Sequence, residues 1–128
     1  MRVLVDAHTV LWATAGDDRL PPSVLELIGD ARTGLVLSVA TTWELMIKAL
    51  AGRLRLPEPP ETYLRGLIDA FGYEILPVRQ HHVDALPELP AIHGDPFDRM
   101  LVAQAIVEDL EIVTGDEAIR QYPVRTIW

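Results

Sequence analysis

Cysteine is absent from this sequence, which excludes disulfides and thiolate metal sites and is compatible with a reducing, cytoplasmic setting. Aromatic residues are scarce at 6%, and none of the flat platforms that a sugar site usually wants can be picked out. No apolar run approaches a membrane span, so no membrane association is expected. The N-terminal "MRVLVDAHTV" carries one Arg and then an Asp inside its apolar stretch, and it reads as a first strand and not a signal peptide. Basic residues are outnumbered, 11 against 19 acidic, for a net charge of −8. A broad basic face for duplex DNA is therefore not expected. Carboxylates can still act on nucleic acid when they hold cations that face phosphate, and they can pair with a basic protein partner. Internal repeats and low-complexity tracts are also missing, and proline and glycine only punctuate the chain.

What remains is an ordinary globular mixture, 49% hydrophobic and 23% charged over 128 residues. That length suits a single domain over residues 1–128 with a real core. The pattern alternates. "RVLVDA" reads as a strand and "TVLWATAG" as a helix stopped by Gly16. "PPSVLELIGDAR" is a helix with proline at its start and Val24, Leu27 and Ile28 on one face. "GLVLSV" is a buried strand, and "TTWELMIKALAG" is a helix ending at Gly52. The prolines of "GRLRLPEPP" demand a loop. "ETYLRGLIDAFG" is a helix, "YEILPV" a strand, "RQHHVDALPEL" a short helix and "DPFDRMLVAQAIVEDL" the most apolar helix. "EIVTGD", "EAIRQY" and "VRTIW" supply a strand, a short helix and a last strand. Strand–helix alternation throughout predicts an α/β three-layer sandwich, with a mainly parallel central sheet flanked by helices.

Sheets of this kind place ligands at the carboxyl ends of their strands. Asp6 ends the first strand, Glu44 follows "GLVLSV" in the next helix, Asp98 opens the late helix, and Asp116 follows "IVTG". Four acids from distant parts of the chain are thus expected at one edge. Each has a plain structural reading when taken alone. Asp6 can cap the following helix. Glu44 stands four residues before Lys48, the favoured orientation for a helical ion pair. Asp116 sits in "TGDEA", a natural turn and cap. In "HGDPFDRMLVAQA" two acids crowd one helix start. Asp95 before Pro96 reads as the N-cap. Asp98 is then the third helical residue, where a capping box prefers the longer Glu or Gln, so its shorter side chain is free to face the crevice.

Four converging carboxylates repel one another unless a cation or protons intervene. Oxygen-only ligands select Mg2+ or Mn2+ over zinc. Such a cation lowers the pKa of bound water and neutralises phosphate, so phosphodiester hydrolysis is the natural chemistry. A phosphatase of the haloacid-dehalogenase type would need a second Asp two residues after Asp6, where His8 stands. A DNA-directed nuclease stays open, because acidic metal sites do not by themselves choose the sugar. So does a non-enzymatic acidic module that binds a basic protein partner, which would be indifferent to metal.

The stretches "VDAHTVLW", "SVATTWELMIKALAGRLRLP", "HGDPFDRMLVAQA" and "IVTGDEAIRQYPVRTIW" together resemble the PIN-domain family, and most of all the VapC-type toxins of toxin–antitoxin pairs. The resemblance implies a metal-dependent endoribonuclease. It places the family's acids on Asp6, Glu44, Asp98 and Asp116 as catalytic residues and ligands of Mg2+ or Mn2+, with Thr114 as a supporting hydroxyl. It also implies a homodimer or higher assembly with a cognate VapB-like antitoxin, whose basic side chain can enter the acidic site. Ala7 departs from the threonine common in relatives, and His8 stands where many carry Asn.

Other residues are weighed beside these. Ser38 and Thr42 could orient Glu44 or a metal-bound water, and His8 could touch substrate or metal or simply start a helix. Arg99, next to Asp98, is the best-placed phosphate contact, ahead of Lys48, Arg53 and Arg55. His81 and His82 are adjacent, so they read as surface residues and a poor metal pair. His93 is expected in a loop at the site entrance. Trp12 and Trp43 are expected to pack in the core, and Trp128 where the last strand closes.

Overall fold

The computed structural model describes all 128 residues. Five strands form one sheet: β1 (Arg2–Val5), β2 (Gly34–Ser38), β3 (Glu74–Leu76), β4 (Glu111–Val113) and β5 (Thr126–Ile127). Their spatial order is β3-β2-β1-β4-β5, and every neighbouring pair is parallel, so the expected mainly parallel sheet is parallel throughout. Six helices connect them: α1 (Ala7–Ala15), α2 (Pro22–Gly29), α3 (Val39–Leu50), α4 (Pro60–Phe71), α5 (Gln80–Ala85) and α6 (Pro96–Glu108). "EAIRQY" forms only a 3-10 turn over Ile119–Gln121, a shorter element than the helix expected there.

The strands alternate sides, and the alternation sorts the core into two layers. Val3, Val5, Leu35, Leu37 and Val113 pack on one face against Val10, Val24, Ile28, Leu45, Leu64 and Leu67, which come from α1 to α4. Leu4, Val36, Leu76 and Ile112 face the other way, onto Leu101, Val102 and Ala105 of α6 and onto Ile119 and Tyr122. Both faces of the sheet are thus covered, as a parallel sheet requires.

Two local features aim the carboxyl edge. "GLVLSV" gives up its last residue to α3, because the Ser38 hydroxyl accepts the Ala40 N–H and starts the helix there. Strand order reverses around β1, with β2 on one side and β4 on the other. The ends of β1 and β4 therefore flank a switch-point crevice.

Candidate active site

Asp6 leaves the end of β1 and is only 4% exposed. Its Oδ1 accepts the Thr9 N–H at 2.9 Å, capping α1 as expected. Its Oδ2 accepts the Thr114 hydroxyl, which projects from the end of β4. Each oxygen keeps a lone pair beyond these bonds. The Thr114 hydroxyl oxygen also accepts the Asp116 N–H at 3.0 Å, so one side chain ties two acids together. Asp116 Oδ1 accepts the N–H groups of Ala118 and Ile119 at 2.8 and 3.2 Å, the capping role expected of it. Its Oδ2 has no hydrogen bond within the chain.

Glu44 lies in the second turn of α3 and is buried. Lys48 Nζ donates to its Oε2 at 2.8 Å, one helical turn on. Asp98 is the third residue of α6. Its neighbour Asp95 caps that helix, with Oδ1 accepting the N–H groups of Phe97 and Asp98 at 2.9 and 3.0 Å. Asp98 does not reach back to share the cap. Burial pushes its carboxyl up to about 6, a hydrogen bond from His93 holds it down, and the charges of Asp95, Asp116 and Glu44 push it further up. The last two causes mark Asp116 and Glu44 as acids that share the field around Asp98.

Glu44 and Asp116 lie close enough to act on Asp98, and Asp6 is linked to Asp116 through the Thr114 hydroxyl. The trio of possible ligand atoms in mutual reach, within 4.8 Å, lies elsewhere, at His81, His82 and Glu108. The four acids offer oxygen ligands, with Lys48 paired to Glu44 and the His93 imidazole to Asp98. Neighbouring carboxylates of this kind suit a hard divalent cation, which would offset the like charges that add to burial in raising the Asp98 carboxyl.

A family profile described as PIN domain matches residues 3–124. The chain belongs to the PIN-domain family. It is 30% identical to Ribonuclease VapC22 of Mycobacterium tuberculosis, over 98% of each chain. Solved structures with the same fold include VapBC2 of Rickettsia felis bound to a promoter DNA fragment, with a TM-score of 0.74, 17% identity and 100% and 99% of the two chains covered. DNA-bound VapBC of Salmonella typhimurium follows at 0.67, 16% identity, and 99% and 97%. The resemblance to VapC-type proteins read from the sequence holds.

Within this PIN domain, several side chains stand differently from expectation. The Ser38 hydroxyl donates to Gln104 Oε1 at 2.5 Å and does not address Glu44. The Thr42 hydroxyl donates to Val39 O at 3.0 Å, satisfying its own helix. Arg99 Nη1 donates to Pro90 O at 2.9 Å and to the Tyr122 hydroxyl at 3.1 Å, so it secures the loop before α6. His8 is exposed on α1 and stacks near Trp12, with ring centroids 5.6 Å apart. Trp43 is 61% exposed and leans edge-on against Phe97, which corrects its expected place in the core. His82 is fully buried, which corrects its reading as a surface residue. Its Nδ1 accepts the Arg79 N–H at 2.9 Å, so its Nε2 carries the proton and faces Glu108 at 3.3 Å. A ring held in that tautomer has no free lone pair for a metal.

His93 makes a contact with Asp98 that the sequence alone does not show. It sits in the loop before α6, as expected, but its Nε2 lies 3.0 Å from Asp98 Oδ2 and its Nδ1 lies 2.7 Å from the Tyr122 hydroxyl. The donors run in one direction: Arg99 to Tyr122 oxygen, Tyr122 hydroxyl to His93 Nδ1, His93 Nε2–H to Asp98. The spacing His93-x-x-x-x-Asp98 was the only sequence signal, and nothing in it points to Tyr122.

Proposed function

We propose that the chain is a metal-dependent endoribonuclease, a single PIN domain acting in the cytoplasm as the toxin of a type II toxin–antitoxin pair. Asp6, Glu44, Asp98 and Asp116 would hold Mg2+ or Mn2+. The observation that carries this reading is the Asp98 carboxyl, raised to about 6 at the carboxyl edge of a parallel sheet, beside Glu44 and Asp116. A carboxyl perturbed by burial and by specific charged neighbours is a candidate for a working site. The relative named as a ribonuclease supports RNA as the substrate, and the VapBC complexes among the structural neighbours support a VapB-like antitoxin as the partner. A charge of −8 suits a basic segment of such a partner.

When bound, the cation supplies charge neutralisation at the phosphate and a bound water of lowered pKa. The chain supplies fixed geometry. Thr9 and Thr114 hold Asp6 by both oxygens, so the carboxylate cannot rotate when substrate arrives. His93 fixes Asp98 through one oxygen and leaves the other free. Lys48 partly neutralises Glu44. Such orientation by outer hydrogen bonds typically accounts for about 10- to 100-fold of a metal site's affinity or activity.

Cleavage of single-stranded RNA by the purified chain tests the proposal, with Mg2+, Mn2+ and excess chelator compared and Asp98→Asn as the contamination control. Cutting that needs metal and vanishes in the variant is expected. Cleavage of DNA in place of RNA would move the substrate, and binding of a basic protein that ignores chelation, with no cleavage of any nucleic acid, would leave only an acidic binding module.

A further inference from the structure

Against the acidic edge lies a pocket lined by basic side chains, about 350 Å3 in volume. Arg19, Lys48 and Arg53 line it together with His8 and the Trp12 indole over a leucine floor, and no carboxylate lines it. Three of the chain's 11 basic residues therefore meet in one place in a protein of net charge −8.

Local structure builds this pocket. His8 and Trp12 are one helical turn apart on α1, so their rings share a face. Asp17 grips Arg19 through two hydrogen bonds, of 3.0 and 2.7 Å, and the guanidinium lies 4.7 Å over the Trp12 ring. At the end of α3, Gly52 adopts φ 74°, a left-handed turn that glycine takes without strain. The chain folds back there, and the Arg53 N–H donates to Lys48 O at 2.9 Å, which sets the two cations side by side. Arg19 is paired to Asp17 and Lys48 to Glu44, whereas the Arg53 guanidinium has no hydrogen bond or ion pair within the chain.

The pocket is continuous with the acidic edge. Ala7 follows Asp6, Leu45 follows Glu44, and Lys48 belongs to both places. An acidic protein repels a polyanion over most of its surface, so any strand crossing the edge needs local positive anchors. Cations beside flat rings are the chemistry that receives a nucleotide, phosphate on one and base on the other.

We infer that this pocket is a nucleotide subsite for the RNA strand. It takes a phosphate flanking the scissile one against the unpaired Arg53, with Lys48 beside it, and the attached base against the exposed His8 ring. The inference rests on the ribonuclease reading and adds to it a place where the strand is held. Direct binding tests it apart from catalysis, using a fluorescein-labelled short oligouridylate, the full chain carrying Asp98→Asn, and chelator throughout. Arg53→Ala on that background is expected to weaken binding by about tenfold. It is also expected to make the dependence of log affinity on log salt shallower by about 0.7. His8→Ala should weaken binding and leave the slope unchanged. The comparison variant is Arg32→Ala, which removes the same charge from an exposed site at the other edge of the sheet. Equal behaviour of Arg53→Ala and Arg32→Ala, or no binding of the oligonucleotide at all, overturns the subsite. Binding that depends on Arg53 in a chain whose unmutated form cuts no RNA would uphold the subsite and sink the nuclease reading.

Discussion

His93 Nε2 stands 3.0 Å from Asp98 Oδ2, joining a loop to the first turn of the helix it precedes. The bond opposes both burial and the neighbouring charges, which push the Asp98 carboxyl up. Replacing His93 by Ala should therefore raise that carboxyl above about 6 in the metal-free protein. A carbon-NMR titration of the carboxyl in the metal-free protein reads this directly. An unmoved titration would mean that the bond does not form in solution.

Tyr122→Phe removes only the hydroxyl that His93 Nδ1 and Arg99 both use. The ring stays in the core, so the fold should hold, as a melting curve would check. Cleavage should fall by about tenfold, the low end of what outer hydrogen bonds contribute at a metal site. Full activity in this variant would make the Arg99–Tyr122–His93 chain a loop brace with no hold on Asp98.

Asp95 and Asp98 should separate cleanly. Asp95→Asn keeps a capping oxygen and should retain cleavage, while Asp95→Ala should cost about 1 kcal/mol of stability. Asp98→Asn should abolish cleavage. Equal loss of activity in Asp95→Asn and Asp98→Asn would end the division of labour between them.

Asp98 also sets a pH dependence of stability. Its folded carboxyl is raised from 3.8 to about 6, so between those values the folded state binds more protons than the unfolded one. Stability without metal therefore falls as pH rises through that window. After discounting for partial exposure, the loss is about 1–2 kcal/mol. Denaturant melts in chelator at acid and neutral pH should show the slope, and Asp98→Asn should flatten it. A slope of the opposite sign would contradict the buried, charge-crowded setting of this side chain.

Thr114→Val should leave Asp6 Oδ2 and the Asp116 N–H without their shared partner, since the hydroxyl serves both in a fully buried position. The expected cost is about 1–3 kcal/mol of stability. Thr114→Ser should restore both stability and cleavage. Failure of serine to rescue would assign the effect to packing of the methyl group.

The fold was legible in the sequence because its signals are local. Proline marks the start of α2, Gly72 the stop of α4 and short apolar runs the strands, whereas Pro60, read as loop, is the first residue of α4. The places of Asp6, Glu44, Asp98 and Asp116 at strand ends and near helix starts were legible because those boundaries have local signals. What stayed hidden depends on partners far along the chain. His82 reads as polar surface until Arg79 and Glu108 are seen to hold it, and Ser38 reads as a helper of Glu44 until Gln104 takes its hydroxyl. Arg99 reads as a phosphate contact until Pro90 and Tyr122 claim it. Trp43 reads as core because it stands on a helix where core packing is the default, but α3 turns that position outward.

β1 is the central strand, and it pairs with β4, while Asp6 is held by Thr114 across a separation of 108 residues. Long separations of this kind make the closing contacts slow and place them late in folding. A ribosome reads out Asp6 among the earliest residues, yet the bond that orients it waits for more than a hundred further additions. A nascent chain that has not reached Thr114 has three of the acids and no assembled edge. The partner that orients Asp6 is thus among the later residues to be made.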